Sequence, residues 1–230
     1  MAQSGTKAEA NYRHKPGTVE EFCERPGSLA SNITLFTGSA YALKLHGGMV
    51  QAADFRSIHM SIGVLCINAG LGILTWCIQT KEIYEVYVAT YEVRQLLYVG
   101  ALNSELYFNA EYSPITAYMH LMPALLIPLC TNFTDYDMEQ ITDLVVIVQL
   151  ISCFYICYKT ENKIGFYACG TAILSTFFHT LLRALKQEDI EMFTFQELDI
   201  NNLILTAFAL FAAKSAILPE AAEGAALLIK

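Results

Sequence analysis

The stretch "EIYEVYVATYEVRQLLYVGALNS", residues 82–104, decides how many membrane helices the chain contains. It is apolar and aromatic on average, but it is interrupted by Glu82, Glu85, Glu92 and Arg94. A membrane helix with a polar face and a loop lying in the membrane interface both account for this pattern. The number of crossings is therefore six or seven, depending on this stretch.

The rest of the chain is rich in apolar runs. The composition is 54% hydrophobic and 16% charged, which is typical of an integral membrane protein. A helix needs about 17–25 apolar residues to cross a bilayer. Runs of this kind lie at 29–52, 57–79, 107–130, 141–158, 164–186 and 200–218. We therefore expect an all-α membrane protein whose helices pack as a compact bundle.

We expect the chain to form a single domain between two polar ends. We expect a polar N-terminal tail at 1–28, a membrane bundle at 29–218 and a short C-terminal tail at 219–230. The first 28 residues lack the apolar core of a cleavable signal peptide. The net charge of −8 argues against nucleic-acid binding, and the seven cysteines show no zinc-type spacing, so we expect no metal site.

The charged residues of two loops predict how the chain is oriented in the membrane. Residues 131–140, "TNFTDYDMEQ", carry acids and no Lys or Arg, whereas the next loop carries Lys159 and Lys163. The positive-inside rule places the first of these outside and the second in the cytoplasm. This predicts a cytoplasmic N-terminus for a multi-pass protein if 82–104 does not cross. If 82–104 crosses, the N-terminus moves outside or the charge rule is broken.

Lys214 is the most informative charge. It lies in "FALFAAKSAIL", residues 208–218, near the end of an apolar run with no acid within one helical turn. An ammonium at the centre of a membrane helix costs at least about 2.5–3.5 kcal/mol. We therefore expect a partner on another helix, and Glu111 in "NAEYSPITAYMHLMPALL" (109–126) is the best candidate. Such a pair is either an inert ion pair or a Schiff base between the lysine amine and an aldehyde, with the carboxylate as counter-ion.

These residues resemble one family. "LFAAKSAIL" (210–218) resembles the last helix of heliorhodopsins, in which a lysine carries retinal, and "EYSPITAYM" (111–119) resembles their third helix around the counter-ion. The resemblance implies a seven-helix rhodopsin-like bundle with all-trans retinal bound to Lys214 and Glu111 as counter-ion. If 82–104 is itself the third helix, Glu92 is the fallback counter-ion, with Glu85 as a further option.

The resemblance also suggests a retinal pocket. Tyr41 and Trp76 stand where the family has histidines in its first two helices, so a proton held there is not implied for this chain. The full set of pocket candidates is Tyr41, Trp76, Tyr112, Ser113, Met119, Phe177 and Phe178. Aromatic residues at helical spacing are also common in ordinary packing.

Three functions stay open. The first is a light-activated protein that moves protons, as a light-gated channel or a transporter, through Glu105 and Glu191; Glu191 is equally well read as a loop acid facing water. The second is a light sensor that transports nothing. The third is a haem-binding electron carrier that uses His46, His59, His120 or His179 as axial ligands. We expect no enzymatic activity; the expected partners are the lipid bilayer, retinal and protons, with a homodimer as a further option.

Overall fold

The computed structural model describes residues 19–24, 26–49, 56–131, 139–186 and 197–217. All regular structure in these ranges is α-helical, which confirms the expected all-α fold class. In chain order the helices are α1 (Val19–Cys23), α2 (Pro26–Met49), α3 (Ser57–Ile78), α4 (Lys81–Asn109), α5 (Pro114–Met119), α6 (Met122–Thr131), α7 (Glu139–Lys159), α8 (Lys163–Lys186) and α9 (Glu197–Ser215).

The ambiguous stretch 82–104 belongs to one long helix, α4, of 29 residues. At about 1.5 Å per residue a helix of this length exceeds the bilayer core of about 30 Å. Its first acids stay exposed, and Lys81 pairs with Glu85 at 3.5 Å on that surface. Arg94 is buried, but its guanidinium binds two amide oxygens from other helices. Of the described charges in this stretch, Glu82 and Glu85 thus lie at its exposed start, and Arg94 is bound inside the bundle through Nη1.

The run 107–130, predicted as one crossing, is broken into three pieces. The helix α4 ends at Asn109, and Glu111 then adopts a left-handed backbone with φ 61°. Ser113 caps α5, whose first residue is Pro114, and a second proline, Pro123, follows at the start of α6. Proline lacks the amide hydrogen and disfavours helix in the preceding residue, so these positions disfavour a continuous helix through 107–130.

Part of the predicted N-terminal tail is structured. The short helix α1 lies within residues 1–28, and its Phe22 is buried. The Phe22 ring contacts Tyr84 and Tyr87 on α4, with centroids 6.2 and 5.4 Å apart. Residues 19–23 of the predicted N-terminal tail therefore form a helix that packs against the bundle through an aromatic cluster.

The long helices pack in a closed ring. Extensive contacts join α4 to α3, α3 to α2, α2 to α9 and α9 to α8, and α7 completes the ring between α8 and α4. The short helices α5 and α6 pack against α4. The core between them contains large apolar side chains such as Leu65, Leu102, Ile156 and Phe208 and a row of small ones on α9. Small residues allow the backbones of neighbouring helices to approach closely.

Side-chain contacts define the two ends of this ring. At the end where α2 and α9 begin, which we call the first end, Ser31 donates a hydrogen bond to Asp199 at 2.9 Å. At the opposite, second end, His46 of α2 contacts His59 of α3, and Asn162 between α7 and α8 donates to the Ser215 carbonyl of α9. Helices α2, α4, α7 and α9 therefore run from the first end to the second, and α3 and α8 run in the opposite direction.

Two helices in the described part of the chain are long and apolar enough to cross a membrane. They are Ser57–Ile78, which is α3, and Gln140–Lys159, which is nearly all of α7. The remaining long helices carry more charged and polar residues. The fold shown by the structure is thus a helical bundle with two candidate membrane spans.

Candidate functional site

Lys214 lies in the last turn of α9, and its side chain is exposed. It shares this outward face with Leu203, whereas Ala209, Ala212 and Ala213 on the other side of the helix are fully buried. Among the described residues the lysine makes no ion pair. The position of Lys214 on the helix therefore turns its side chain away from the core.

Glu111 lies in the turn between α4 and α5, where its side chain is exposed. Its amide donates to the Phe108 carbonyl at 3.1 Å, which closes the end of α4. In the described ranges Glu111 makes no ion pair with Lys214 or with another cation. The side chain of Glu92, the fallback counter-ion, lies outside the described part of the structure.

The segments that carry Lys214 and Glu111 nevertheless meet at the second end. Asn109, the last residue of α4, donates a hydrogen bond from Nδ2 to the carbonyl oxygen of Ala216 at 3.1 Å. Glu111 follows Asn109 by two residues, and Lys214 precedes Ala216 by two residues. The lysine and the glutamate of the two sequence motifs therefore belong to segments in direct contact.

Glu105 is the buried acid of this end. Its carboxylate accepts hydrogen bonds from Arg56 Nη1 at 3.3 Å and from the Ile58 amide at 3.4 Å. The positive charge of Arg56 thus neutralises Glu105 inside the bundle. One residue earlier on α4, Ser104 exchanges a 3.1 Å hydrogen bond with Ser57. Glu191, the other predicted proton-transfer acid, lies outside the described residues.

Two histidines lie at the same end. The rings of His46 and His59 are in edge-to-face contact, with centroids 4.8 Å apart. His46 is fully buried, and in the described part of the chain neither of its ring nitrogens has a hydrogen-bond partner. His59 Nδ1 approaches the backbone of Arg56 instead. The cluster around Glu105 therefore contains an ion pair and two imidazoles in edge-to-face contact.

The predicted retinal-pocket residues do not surround one interior space. Tyr41, Met119 and Phe177 are exposed on outer faces, since they lie on the sides of their helices that no neighbour covers. Trp76 packs near the first end with the aromatic cluster of Phe22 and Tyr84. The remaining candidates are Tyr112 and Ser113, in the turn after α4, and Phe178, which is partly buried on α8. These described candidates therefore lie on separate faces of the bundle, and the pocket stays a prediction from the resemblance.

A buried polar network lies nearer the first end. Arg94 is 1% exposed, and its Nη1 donates to Asn68 Oδ1 at 2.8 Å and to Asn202 Oδ1 at 3.1 Å. Asn202 in turn lies 3.3 Å from Ser31 Oγ, which donates to the carboxylate of Asp199. The guanidinium is also 4.4 Å from the ring centroid of Tyr91. Side chains from four helices thus link a buried cation to a buried acid.

A second buried network joins α4 to α7. Asn103 Nδ2 donates to both the carbonyl and the side-chain oxygen of Gln149, at 2.7 and 2.8 Å. Gln149 Nε2 donates to the His120 carbonyl at 2.9 Å, and its Oε1 lies 2.9 Å from His120 Nδ1. His120 therefore acts as a hydrogen-bonded packing residue between α5 and α7.

Sequence reasoning missed most of these polar residues. Arg94 was noticed only as an interruption, and Asn68, Asn202, Asn103 and Gln149 were not singled out. A usable signal existed, because amide side chains within apolar runs need partners when they are buried. Which amides pair with which charge depends on helix phase and could not be read from the runs themselves.

The arrangement of His46 and His59 does not allow both rings to be axial ligands of one haem between them. Axial ligands must face each other across the porphyrin plane, but these two rings touch edge to face. His120 is engaged by Gln149, and the side chain of His179 lies outside the described residues. Within the described ranges no group of three or more metal-binding side chains is assembled for a metal ion.

At the second end, a lysine and a tyrosine form a hydrogen bond at the surface. Lys159, the last residue of α7, donates a 2.7 Å hydrogen bond to the phenol oxygen of Tyr112. This hydrogen bond from an ammonium lowers the pKa of Tyr112, and a contact with Tyr155 acts in the same direction. The pair ties the turn that contains Glu111 to the end of α7.

No protein-family model, curated protein or solved structure matches the chain.

Proposed function

We propose that the chain is a membrane protein that crosses the bilayer seven times. The crossings are α2, α3, α4, the broken pair α5 and α6, then α7, α8 and α9. The support comes from an apolar stripe on α7, where Leu144, Ile151 and Tyr158 follow at intervals of seven and are 61%, 65% and 71% exposed. Such a stripe along the full length of a helix is unfavourable in water and favourable against lipid.

With α4 as a crossing, the start of α2 and the start of α7, which follows the acidic stretch 131–140 in sequence, fall at the same end of the bundle. The positive-inside rule, applied to this stretch and to the lysines at 159 and 163, places that end outside. A cytoplasmic N-terminus is incompatible with this assignment. We therefore propose that the first end, with the N-terminus, faces outward and that the second end, with Lys159 and Lys163, faces the cytoplasm.

We propose that the protein binds all-trans retinal on Lys214 and moves protons across the membrane when illuminated. The observation that carries this proposal is the contact between the ends of α4 and α9 through Asn109 and Ala216. It brings together the two segments whose motifs resemble the retinal lysine and counter-ion of heliorhodopsins. Bound retinal would supply light absorption and a double-bond isomerisation that displaces the nitrogen of Lys214.

The residues fit this linkage in two respects. Among the described residues the Lys214 amine makes no ion pair, and an amine outside ion pairs is available for condensation with an aldehyde. Glu111 likewise makes no ion pair in the described ranges, whereas Glu105 is already neutralised by Arg56. Glu111 is therefore the proposed counter-ion, and Glu105 the proposed proton-transfer acid.

We propose a position for the chromophore that differs from the pocket expected from the sequence. The core beside α9 is filled by Phe208, Ala212 and Leu205. Lys214 faces outward, where its amine is open to an aldehyde dissolved in the bilayer. We propose that retinal lies along the outer face of α9, and not across the interior of the bundle.

One experiment tests the proposal. Purified protein is mixed with all-trans retinal, and its absorption spectrum is followed in the dark and with hydroxylamine. A broad visible band that hydroxylamine removes rapidly in the dark supports an open retinal site, whereas the absence of a band refutes retinal binding. A pigment that photocycles without current under voltage clamp would support the alternative function, a light sensor that transports nothing.

A further inference from the structure

A cavity of about 30 Å³, lined by both polar and apolar side chains, lies between α4, α7, α8 and α9. Its wall includes Arg94, Gln95, Asp143, Ser175, Thr176 and Asn201. A water molecule needs about 10–15 Å³ of such space and two to four polar partners. The cavity therefore has room for about two waters, and its wall supplies both donors and acceptors for them.

One buried hydrogen-bond donor of Arg94, in the wall of this cavity, has no partner among the described residues. Its Nη1 binds two amide oxygens, but within the described part of the chain Nη2 has no hydrogen-bond partner. The side chain is 1% exposed, so bulk water does not reach it. An unsatisfied donor on a buried charged group is strongly unfavourable. An acceptor held in the cavity removes this penalty.

Asp143 provides an acid on the other side of the cavity. It lies in the first turns of α7, is half-buried, and lines the same space as Arg94. No direct ion pair joins these two described side chains. Between them, Ser175 donates a hydrogen bond to Asn201 and adds two further polar groups to the wall. Water is thus the simplest species that connects the guanidinium with the carboxylate.

The charges around the cavity favour water over an anion. Besides Asp143, the buried acid Asp199 is linked to Arg94 through Ser31 and Asn202. Two acids therefore already face one arginine, and a bound anion would add a further negative charge to a buried site. A neutral ligand that accepts from Nη2 satisfies this donor without adding a charge to the buried site.

We propose that this cavity binds ordered water that links Arg94 to Asp143, and that Asp143 is the group that exchanges protons with the solution at the first end. The inference rests on the proposed proton movement. Asp143 takes a proton from a cavity water, forming one O–H bond, and releases it to the outside solution. That water regains its proton from the inner side of the path. Arg94 stays protonated throughout, because guanidinium does not lose its proton in proteins.

The first test uses the pigment. Asp143→Asn should leave the visible band intact and lower the photocurrent by roughly tenfold or more, as expected for loss of a proton-transfer group. Glu82→Gln is the matched control, since it removes an exposed acid at the start of α4 outside the cavity wall, and its current should be unchanged. A normal current in Asp143→Asn pigment overturns the role of Asp143.

The second test does not depend on retinal. Thermal unfolding is compared for wild type, Asp143→Asn, Arg94→Lys and the double variant, all without retinal; Arg94→Lys keeps the charge but removes Nη2. Asp143→Asn should lower the Tm in the wild-type background and have little effect in the Arg94→Lys background. Equal falls in both backgrounds overturn the water link, whereas the absence of pigment in wild type would refute only the proposed function.

Discussion

Asn109 and Ala216 join the ends of α4 and α9 through one hydrogen bond of 3.1 Å from a side-chain amide to a backbone carbonyl. The carbonyls of the last turn of a helix have no partner within the helix, so this amide satisfies a group that otherwise needs water or a cap. The contact positions the turn containing Glu111 beside the last turn of α9. The first two predictions concern the charged residues on either side of it.

Lys214→Ala should give a folded protein that forms no visible pigment with all-trans retinal, because the amine that condenses with the aldehyde is gone. Lys44→Ala is the matched control, since Lys44 is another exposed lysine, on α2, and its pigment should be normal. Absorption spectra of both variants with equal retinal decide the outcome. Retention of the band in Lys214→Ala, or its loss in Lys44→Ala, would move the attachment site.

Glu111→Gln should make the pigment lose its visible band at a lower pH than wild type. The reason is that removal of a nearby negative charge destabilises a protonated nitrogen. The measurement is a spectroscopic pH titration in the dark. Glu92→Gln and Glu105→Gln are titrated in parallel, and a change confined to one of them would transfer the counter-ion role to that residue.

Glu105→Gln and Glu191→Gln should each strongly reduce the light-induced proton current, and the double variant should lose little more. Acids that act in one relay are not additive, because breaking any step stops the whole path. Glu161→Gln changes an exposed acid at the second end and should leave the current as in wild type. Additive losses in the double variant would mean that the two acids do not share a path.

The helical content of the chain could be predicted well, but its site could not. Apolar runs and prolines locate most helix boundaries, because these signals act locally. The stretch 82–104 stayed ambiguous because Arg94 is satisfied by Asn68 and Asn202, which are 26 and 108 residues away in sequence. The outward direction of Lys214 also escaped prediction, since it depends on how α9 is turned between α2 and α8.

The break after α4 shows a similar limit. Pro114 and Pro123 were visible in the sequence, and their effect on a helix is local. The run 107–130 nevertheless looked continuous by hydropathy, which averages over such breaks. If the prolines are given more weight than the mean hydropathy, the sequence predicts a helix that covers 82–104 and ends before Glu111.

Gly100→Ala should lower the stability of the protein. A methyl group at Gly100 would lie 2.5 Å from the His120 carbonyl oxygen, so α4 and the end of α5 must separate. Gly170→Ala on α8 is the control, because a methyl group there meets no atom within 4 Å. In a helix this change alone favours folding by about 0.5–1 kcal/mol. Thermal unfolding should therefore give a lower Tm for the first variant and an unchanged or higher Tm for the second.

Tyr112 should ionise at a lower pH than an ordinary tyrosine, because the Lys159 ammonium donates a hydrogen bond to its oxygen. As an acid with a lowered pKa, it contributes stability that develops as the pH rises through that pKa and is lost as the pH falls. Tyrosinate absorbance during alkaline titration measures this directly. The earliest component should disappear in Tyr112→Phe and shift upward in Lys159→Met.

Lys163→Met is the control for this titration. It removes a lysine from the start of α8 and leaves the Lys159–Tyr112 hydrogen bond in place. The titration of this variant should match wild type. An equal shift in Lys163→Met and Lys159→Met would show that general charge, and not the hydrogen bond, sets the ionisation of Tyr112.

The two-residue connection between α3 and α4, Gln79 and Thr80, has a consequence for how the protein is made. In the proposed topology α3 is apolar enough to enter a bilayer unaided, whereas α4 brings Arg94, Asn103 and Glu105 with it. Asn68 and Ser57, which bind this polar face, lie on α3 itself. The two helices can therefore leave the translocation machinery as a hairpin in which Arg94 and Glu105 already have partners on α3, so that biogenesis of α4 depends on the helix synthesised just before it.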